Sequence, residues 1–233
     1  MRYAIVSDIH ANLEALQKAL EIIDTRSIDS IICLGDSVGY GASPNEVLDI
    51  LRARCECILI GNHDEAAIDI SLATGFNPYA RAAAEWTAKE LTEEHKEFLK
   101  TLPQEYHAGD VLFVHSSPHE PAEWHYVIST SDAQMNFRFF EEQICFVGHS
   151  HVPGVFSEDV WTRKVARGTR FIINIGSVGQ PRDNDPRISF GIFDTDTWEY
   201  ENIRSEYDVR TASEKIRKQG LPKMLAERIL EGR

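Results

Sequence analysis

Aspartate, histidine and asparagine recur in this chain beside glycine and at the ends of apolar runs. The blocks are Asp8-Ile9-His10, Gly35-Asp36, Gly61-Asn62-His63-Asp64, Val114-His115 and Gly148-His149-Ser150-His151. Asn12 and the turn Gly176-Ser177-Val178-Gly179 stand alongside them. Such side chains supply oxygen and nitrogen donors of the kind that suit Mn, Fe(II), Zn, Ni or Co rather than a thiolate-bound metal. Aspartate can bridge two cations, and with several histidines it points to a dinuclear site and to metal-assisted hydrolysis.

These donors have to be carried by elements that end at one place. Tyr3–Val6 leads into Asp8, Ile31–Leu34 into Gly35-Asp36, and Cys57–Ile60 into Gly61-Asn62. Val111–Val114 leads into His115, and Ile144–Val147 into Gly148-His149. Short continuous apolar runs read as strands covered on both faces. Ligands at their ends fit a site at one edge of a packed sheet. One aspartate after one strand is an ordinary turn residue; the same coincidence after five runs is hard to assign to turns.

Helices alternate with the strands in the first half. Leu13, Leu16, Leu20 and Ile23 have helical spacing over 12–24. Ser43-Pro44-Asn45-Glu46 reads as a capping box opening a helix over 44–54. Asn77-Pro78 opens another, and Thr92 caps a shorter one before Pro103. This rhythm predicts a mainly parallel sheet. The second half has a hairpin turn at 107–110, a helix over 131–143, and strands over 154–157, 160–165, 171–175, 188–193 and 198–204. Those later strands read as an antiparallel meander or second sheet. Helices over 209–218 and 222–231 follow. A site built from donors between Asp8 and His151 argues for one domain over 1–233, with 206–233 a C-terminal helical extension.

The 233 residues are 42% hydrophobic and 26% charged, ordinary for a globular chain. A formal charge of -13 without a Lys/Arg cluster disfavours duplex nucleic acid as a partner. Cys33, Cys57 and Cys145 lie in apolar runs, where a thiol acts as a small hydrophobe, and no C-x-x-C pair occurs. The N-terminal apolar run is too short for a signal-peptide core, and no span reaches membrane length. With reduced thiols, the expected location is the cytoplasm.

Taken in order, Asp-x-His, Gly-Asp, Gly-Asn-His-Asp, a lone His and Gly-His-x-His resemble the calcineurin-like metallophosphoesterases, across residues 1 to about 180. The opening Asp8–Asn12 and the segment Gly176–Arg182 look most like the small prokaryotic phosphodiesterase-like branch. The resemblance implies an α/β fold of two packed mixed β-sheets flanked by helices, a four-layer α/β/β/α sandwich. It implies two divalent metal ions (Mn, Fe, Zn, Ni or Co). One would be held by Asp8, His10, Asp36 and His151, the other by Asp36, Asn62, His115 and His149. Two cations about 3.5–4 Å apart share a hydroxide that attacks phosphorus at neutral pH. His63 would protonate the leaving oxygen or bind a phosphoryl oxygen. His149 and His151, alternating along an extended segment, would face different metals. Each of these residues has a plainer reading, as a turn carboxylate or a satisfied histidine. Asn12 could cap a helix or reach phosphate, and Arg182 could be a surface arginine or a substrate-binding cation.

One departure bears on the substrate. In the phosphoprotein-phosphatase branch the Gly-Asp block continues to a second aspartate and a phosphate-binding arginine; here those positions are Gly39 and Tyr40. A dianionic monoester would lose a charge-assisted contact. The expected enzyme is therefore a phosphodiesterase acting on a small phosphoester or nucleotide. The alternatives are a dinucleoside polyphosphate hydrolase and a non-catalytic metal-binding module. Trp86, Trp124 and Tyr126 are candidates to line a cleft. Neither a dinucleotide fingerprint, a P-loop, a zinc-protease helix nor a serine-hydrolase elbow is completed.

Overall fold

The computed structural model describes every residue except Val160 and Arg163. In chain order its strands are Arg2–Val6 (β1), Ser30–Cys33 (β2), Cys57–Ile58 (β3), Glu105–Ala108 (β4) and Val111–Val114 (β5). They continue with Ile144–Val147 (β6), Gly154–Ser157 (β7), Phe171–Asn174 (β8), Ile188–Asp194 (β9) and Glu199–Ser205 (β10). The helices are Leu13–Ile23 (α1), Pro44–Arg54 (α2), Asn62–Ile68 (α3) and Pro78–Glu90 (α4). Glu93–Leu99 (α5), Thr130–Asn136 (α6), Val209–Lys218 (α7) and Lys223–Glu231 (α8) complete them.

Two five-stranded mixed sheets result, in the orders β10-β9-β1-β2-β3 and β4-β5-β6-β8-β7. β1, β2 and β3 run parallel, as do β5, β6 and β8, so the donor-bearing ends of each set lie at one edge. The apolar runs are continuous because both faces are covered. Ile5, Ile32, Phe113, Phe146, Ile173 and Phe193 fill the space between the sheets. Their neighbours Ala4, Val6, Ile31 and Cys33 pack outward with residues of α1 and α2. On the far side, Leu112, Val114, Cys145 and Ile172 pack with Ala133 and Phe137. This is the expected four-layer sandwich. Tyr40 joins α4, α7 and α8 in a separate apolar cluster through Ala80, Ile216, Leu225 and Ile229. No helix of the described residues is long and apolar enough to cross a membrane.

Four local expectations differ. β9 and β10 do not join β7 and β8 in one meander; β9 instead pairs antiparallel with β1 and extends the first sheet. The expected strand 160–165 contains Val160 and Arg163, which lie outside the described residues, and the others of it are not extended in a strand. The helix read over 131–143 stops at Asn136, followed by a tight turn at Phe137–Phe139. There Arg170 collects the free carbonyls of Phe137 and Phe140 at 2.6 and 2.5 Å, and this replaces continued helix. At α2 the Pro44 start holds, but Ser43 makes no side-chain cap; its amide is tied to the Ala11 carbonyl at 3.0 Å.

Phe146 is fully buried between the sheets, 5.6 Å from both Phe113 and Phe193 by ring centroids. Phe146→Ala should cost about 3–5 kcal/mol of stability, and Ile192→Val about 0.5–1.5 kcal/mol, read from urea unfolding midpoints.

Candidate functional site

Five loops meet where the parallel strands end. The loops after β1 and β2 are laced by main-chain bonds from Asp8 N to Gly35 O (3.0 Å), His10 N to Asp36 O (2.9 Å) and Ala11 N to Ser37 O (2.9 Å). To turn their side chains inward, Asp8, His10, Asp36, His149 and His151 all adopt left-handed backbone, with φ of 53°, 50°, 51°, 63° and 61°. Asp and His tolerate this region better than most residues, and such strain gathers at functional sites. His149 and His151 are thus not alternating residues of an extended segment. Two consecutive reversals, not strand pleat, aim their rings.

Six of the seven expected donors lie together. Asp8, His10, Asp36 and His151 place ligand atoms within 4.8 Å of one another, and so do Asp36, His115 and His149. Asp36 belongs to both groups. Its Oδ2 lies 3.6 Å from His10 Nε2 and 3.5 Å from His115 Nε2. Asp8 Oδ1 is 3.2 Å from His151 Nε2, and His10 and His151 face each other Nε2 to Nε2 at 3.1 Å. Outer ring nitrogens are occupied: Nδ1 of His10 donates to Val38 O (3.1 Å), that of His115 to Leu34 O (3.1 Å), that of His151 to Gln180 O (2.5 Å). That arrangement leaves each Nε2 lone pair facing inward, as a metal-ligating imidazole requires.

The donor set fits divalent cations by a further observation. Asp8 Oδ1, Asn62 Oδ1 and His115 Nε2 are buried without a hydrogen-bond partner. Buried polar atoms are rarely left so. Asn62 opens α3, and Gly61 before it lies so close to Asp36 that a Cβ there would collide with the carboxylate. Asp64, to which the motif gave no role, ties the second and third loops together. Its carboxylate accepts from Gly61 N (3.0 Å), Val38 N (3.0 Å) and Ser37 N (3.3 Å). A third group, His119, Glu120 and His125, sits apart on an exposed loop.

His63 points into the same place. Its ring lies 4.4 Å from Tyr40, 4.5 Å from Phe76 and 5.0 Å from His10, and its Nδ1 has no partner. Gly39, at φ +89°, would put a Cβ 2.8 Å from that nitrogen. No orienting carboxylate can stand there without displacing His63. Asn12 is fully engaged elsewhere. It caps α1 by accepting from Ala15 N (3.2 Å) and donates to Gly179 O (2.8 Å) and the Tyr207 hydroxyl (3.0 Å). Arg182 does reach the cleft, a cavity of about 460 Å³ shared with Asn62, His63, Tyr126 and His149. Tyr126 stacks on His149 at 4.1 Å and Trp124 meets His115 edge-on at 5.8 Å, whereas Trp86 packs into the cluster around α7 and α8. Arg228 of α8 lines the cleft as well. It went unnoticed in the sequence, where it follows no motif.

Burial sets the charge pattern. It favours a neutral Asp36, but His115 and His63 outweigh it and hold that carboxyl well below the usual range. Asp8 is likewise held down against burial, by His151. Burial pushes His63 to about 4 and His149 to about 3. It raises Asp64 to about 7, helped by the charge of Asp36. In His115, burial is outweighed by Asp36, and the pKa rises from 6.5 to about 9.

Carboxylates and imidazoles gathered at the common edge of two mixed sheets form a buried cluster able to hold metal ions. Residues 1–198 match the calcineurin-like phosphoesterase superfamily domain, and the chain belongs to that family of phosphoester hydrolases. It is 39% identical to an uncharacterized protein of Methanocaldococcus jannaschii, over 99% of this chain and 98% of the other. The crystal structure of a metallophosphoesterase from Sphaerobacter thermophilus is also 39% identical, with a TM-score of 0.90 over 100% of this chain and 99% of that one. A hypothetical protein from Pyrococcus horikoshii, 21% identical with a TM-score of 0.87, covers 100% of this chain and 98% of its own and shares the fold.

The raised His115 pKa has a sign that can be measured. In the metal-free protein its proton stabilises the fold fully below pH 6.5, and this contribution is lost as pH rises through about 9. A cation must displace that proton. Apparent metal affinity should therefore climb between pH 6.5 and 9, with proton release on binding, read by calorimetry in buffers of different ionisation enthalpy.

Proposed function

We propose that this chain is a phosphodiesterase using two divalent transition-metal ions, and that residues 1–233 act as one domain with 206–233 as its helical extension. The observation that carries the reading is Asp36, shared by two buried donor groups. Asp8, His10, Asp36 and His151 would hold one cation; Asp36, Asn62, His115 and His149 the other. The cations supply activated water and neutralise charge at the phosphoryl group. Completeness of the donor set favours turnover over a binding-only module. The four free cysteines suit a reducing compartment and support a cytoplasmic location.

The chain's own residues do the rest. Asp64 holds the Asp36 and Asn62 loops in register. His63, walled by Tyr40 and Phe76, is neutral when free, and an entering phosphate anion raises its pKa so that it can carry a proton to the leaving oxygen. Gly39 in place of a carboxylate, and Tyr40 in place of an arginine, leave no planar donor pair at those two positions for a monoester dianion. A diester carries one charge fewer. These features support a preference for diesters over monoesters with the same leaving group.

Two tests separate the parts of this reading. Metal-reconstituted parent should contain close to two cations by elemental analysis, and Asp36→Ala less than one. A parent content near zero would remove the metal centre. His63→Ala should keep its metals yet lose roughly a hundredfold in kcat on unactivated diesters, with a smaller loss for nitrophenyl diesters. Equal losses on both would make His63 a binding group, and monoester preference in the parent would overturn the diesterase assignment.

A further inference from the structure

Tyr40 carries two guanidinium groups over its ring. The central carbons of Arg182 and Arg228 lie 5.7 and 5.9 Å from its centroid. Arg182 donates to Gln180 Oε1 at 2.9 Å and to the Tyr40 hydroxyl at 3.5 Å. Arg228 donates from Nε to the main-chain oxygen of Arg233. Neither pairs with an acidic side chain of the described residues, although nearby Arg204 and Arg187 both do.

Both arginines line one half-buried cleft, where two like charges are costly unless an anion completes them. Burial and the charge of Arg182 already push the Arg228 pKa below the ordinary arginine value. Tyr40 is not the missing anion, since burial raises its phenol and keeps it neutral. Glu123, the carboxylate on the cleft rim, is exposed and pairs with neither arginine.

The pair stands next to the metal donors but is separate from them. The Tyr40 ring lies 4.4 Å from His63 and 4.7 Å from His10. An anion held by the two forks is therefore one aromatic ring removed from the proposed reaction centre, close enough to belong to the same molecule. Arg228 reaches this place because Ile229, Leu225 and Ile216 pack into one cluster with Tyr40.

We propose that Arg182 and Arg228 form a subsite for a second phosphate of the substrate, so that the enzyme acts on phosphoesters carrying a further phosphate beyond the scissile one. This rests on the phosphodiesterase reading and makes the C-terminal helices part of the substrate site. Planar guanidinium forks match phosphate oxygens in pairs.

Equilibrium binding to the metal-loaded protein tests it, with thymidine 5′-phosphate, thymidine 5′-diphosphate and thymidine 3′,5′-bisphosphate as probes. At least one doubly phosphorylated probe should bind the parent about tenfold or more tightly than the monophosphate, as expected for charge-assisted hydrogen bonds. Arg228→Gln and Arg182→Gln, which keep a stem over Tyr40, should bring that ratio toward one, and Arg228→Lys should retain part of it. A ratio near one in the parent, or a ratio unchanged in both glutamine variants, overturns the subsite. Release of nitrophenolate from bis(p-nitrophenyl) phosphate is measured separately. Its absence would overturn the diesterase reading, while the binding ratio still decides on the arginines.

Discussion

The structure turns on how closely Asp36 can be approached. Its carboxylate faces His10 from one side and His115 from the other, while its second oxygen accepts the His63 amide at 2.8 Å. Everything around it is shaped to allow this. Glycine at position 61 leaves room for the oxygen, and Asp64 fastens the loops on either side. Left-handed backbone at five donor residues costs conformational energy that the two-sided sheet packing has to supply. Without that density of main-chain anchoring, two buried aspartates and four imidazoles would relax toward solvent.

Much of the site was legible because its parts are local. A strand end, a glycine and a donor are neighbours in sequence, so runs such as Ile31–Leu34 before Gly35-Asp36 carry both the buried strand and the ligand. Strand partnership is not local. Nothing in the pattern of Ile188–Asp194 says that it pairs with Arg2–Val6 rather than with the strand before it, since either position buries the same apolar residues. The reversal at His149 and His151 was hidden for a similar reason. Alternating spacing looks like pleat, while φ above zero in residues with a Cβ is set by surrounding contacts such as the Asp8 carboxylate on the His149 amide at 3.0 Å.

Arg228 shows where motif reasoning ends. It sits in an amphipathic helix whose exposed face carries Lys223 and Glu231, and its composition is that of any surface helix. Only packing against Tyr40 singles it out. In sequence Gly39 and Tyr40 are only an absence, two positions without the groups that grip a phosphate. In three dimensions they have positive roles: Gly39 clears the space beside the His63 nitrogen, and Tyr40 forms the wall between His63 and the arginines.

Asp8, His10 and Asp36 stand at the end of the first sheet; His115, His149 and His151 stand at the end of the second. Each donor group therefore spans both halves of the sandwich. A cation held there acts as a rivet through the interface on which Phe113, Phe146 and Phe193 also meet. Its binding energy is shared with the packing of the two sheets. With the proposed cations bound, a chelator would loosen the protein as a whole, and a cavity cut deep in the aromatic interior would be felt as weakened metal affinity at the far edge, with no ligand touched.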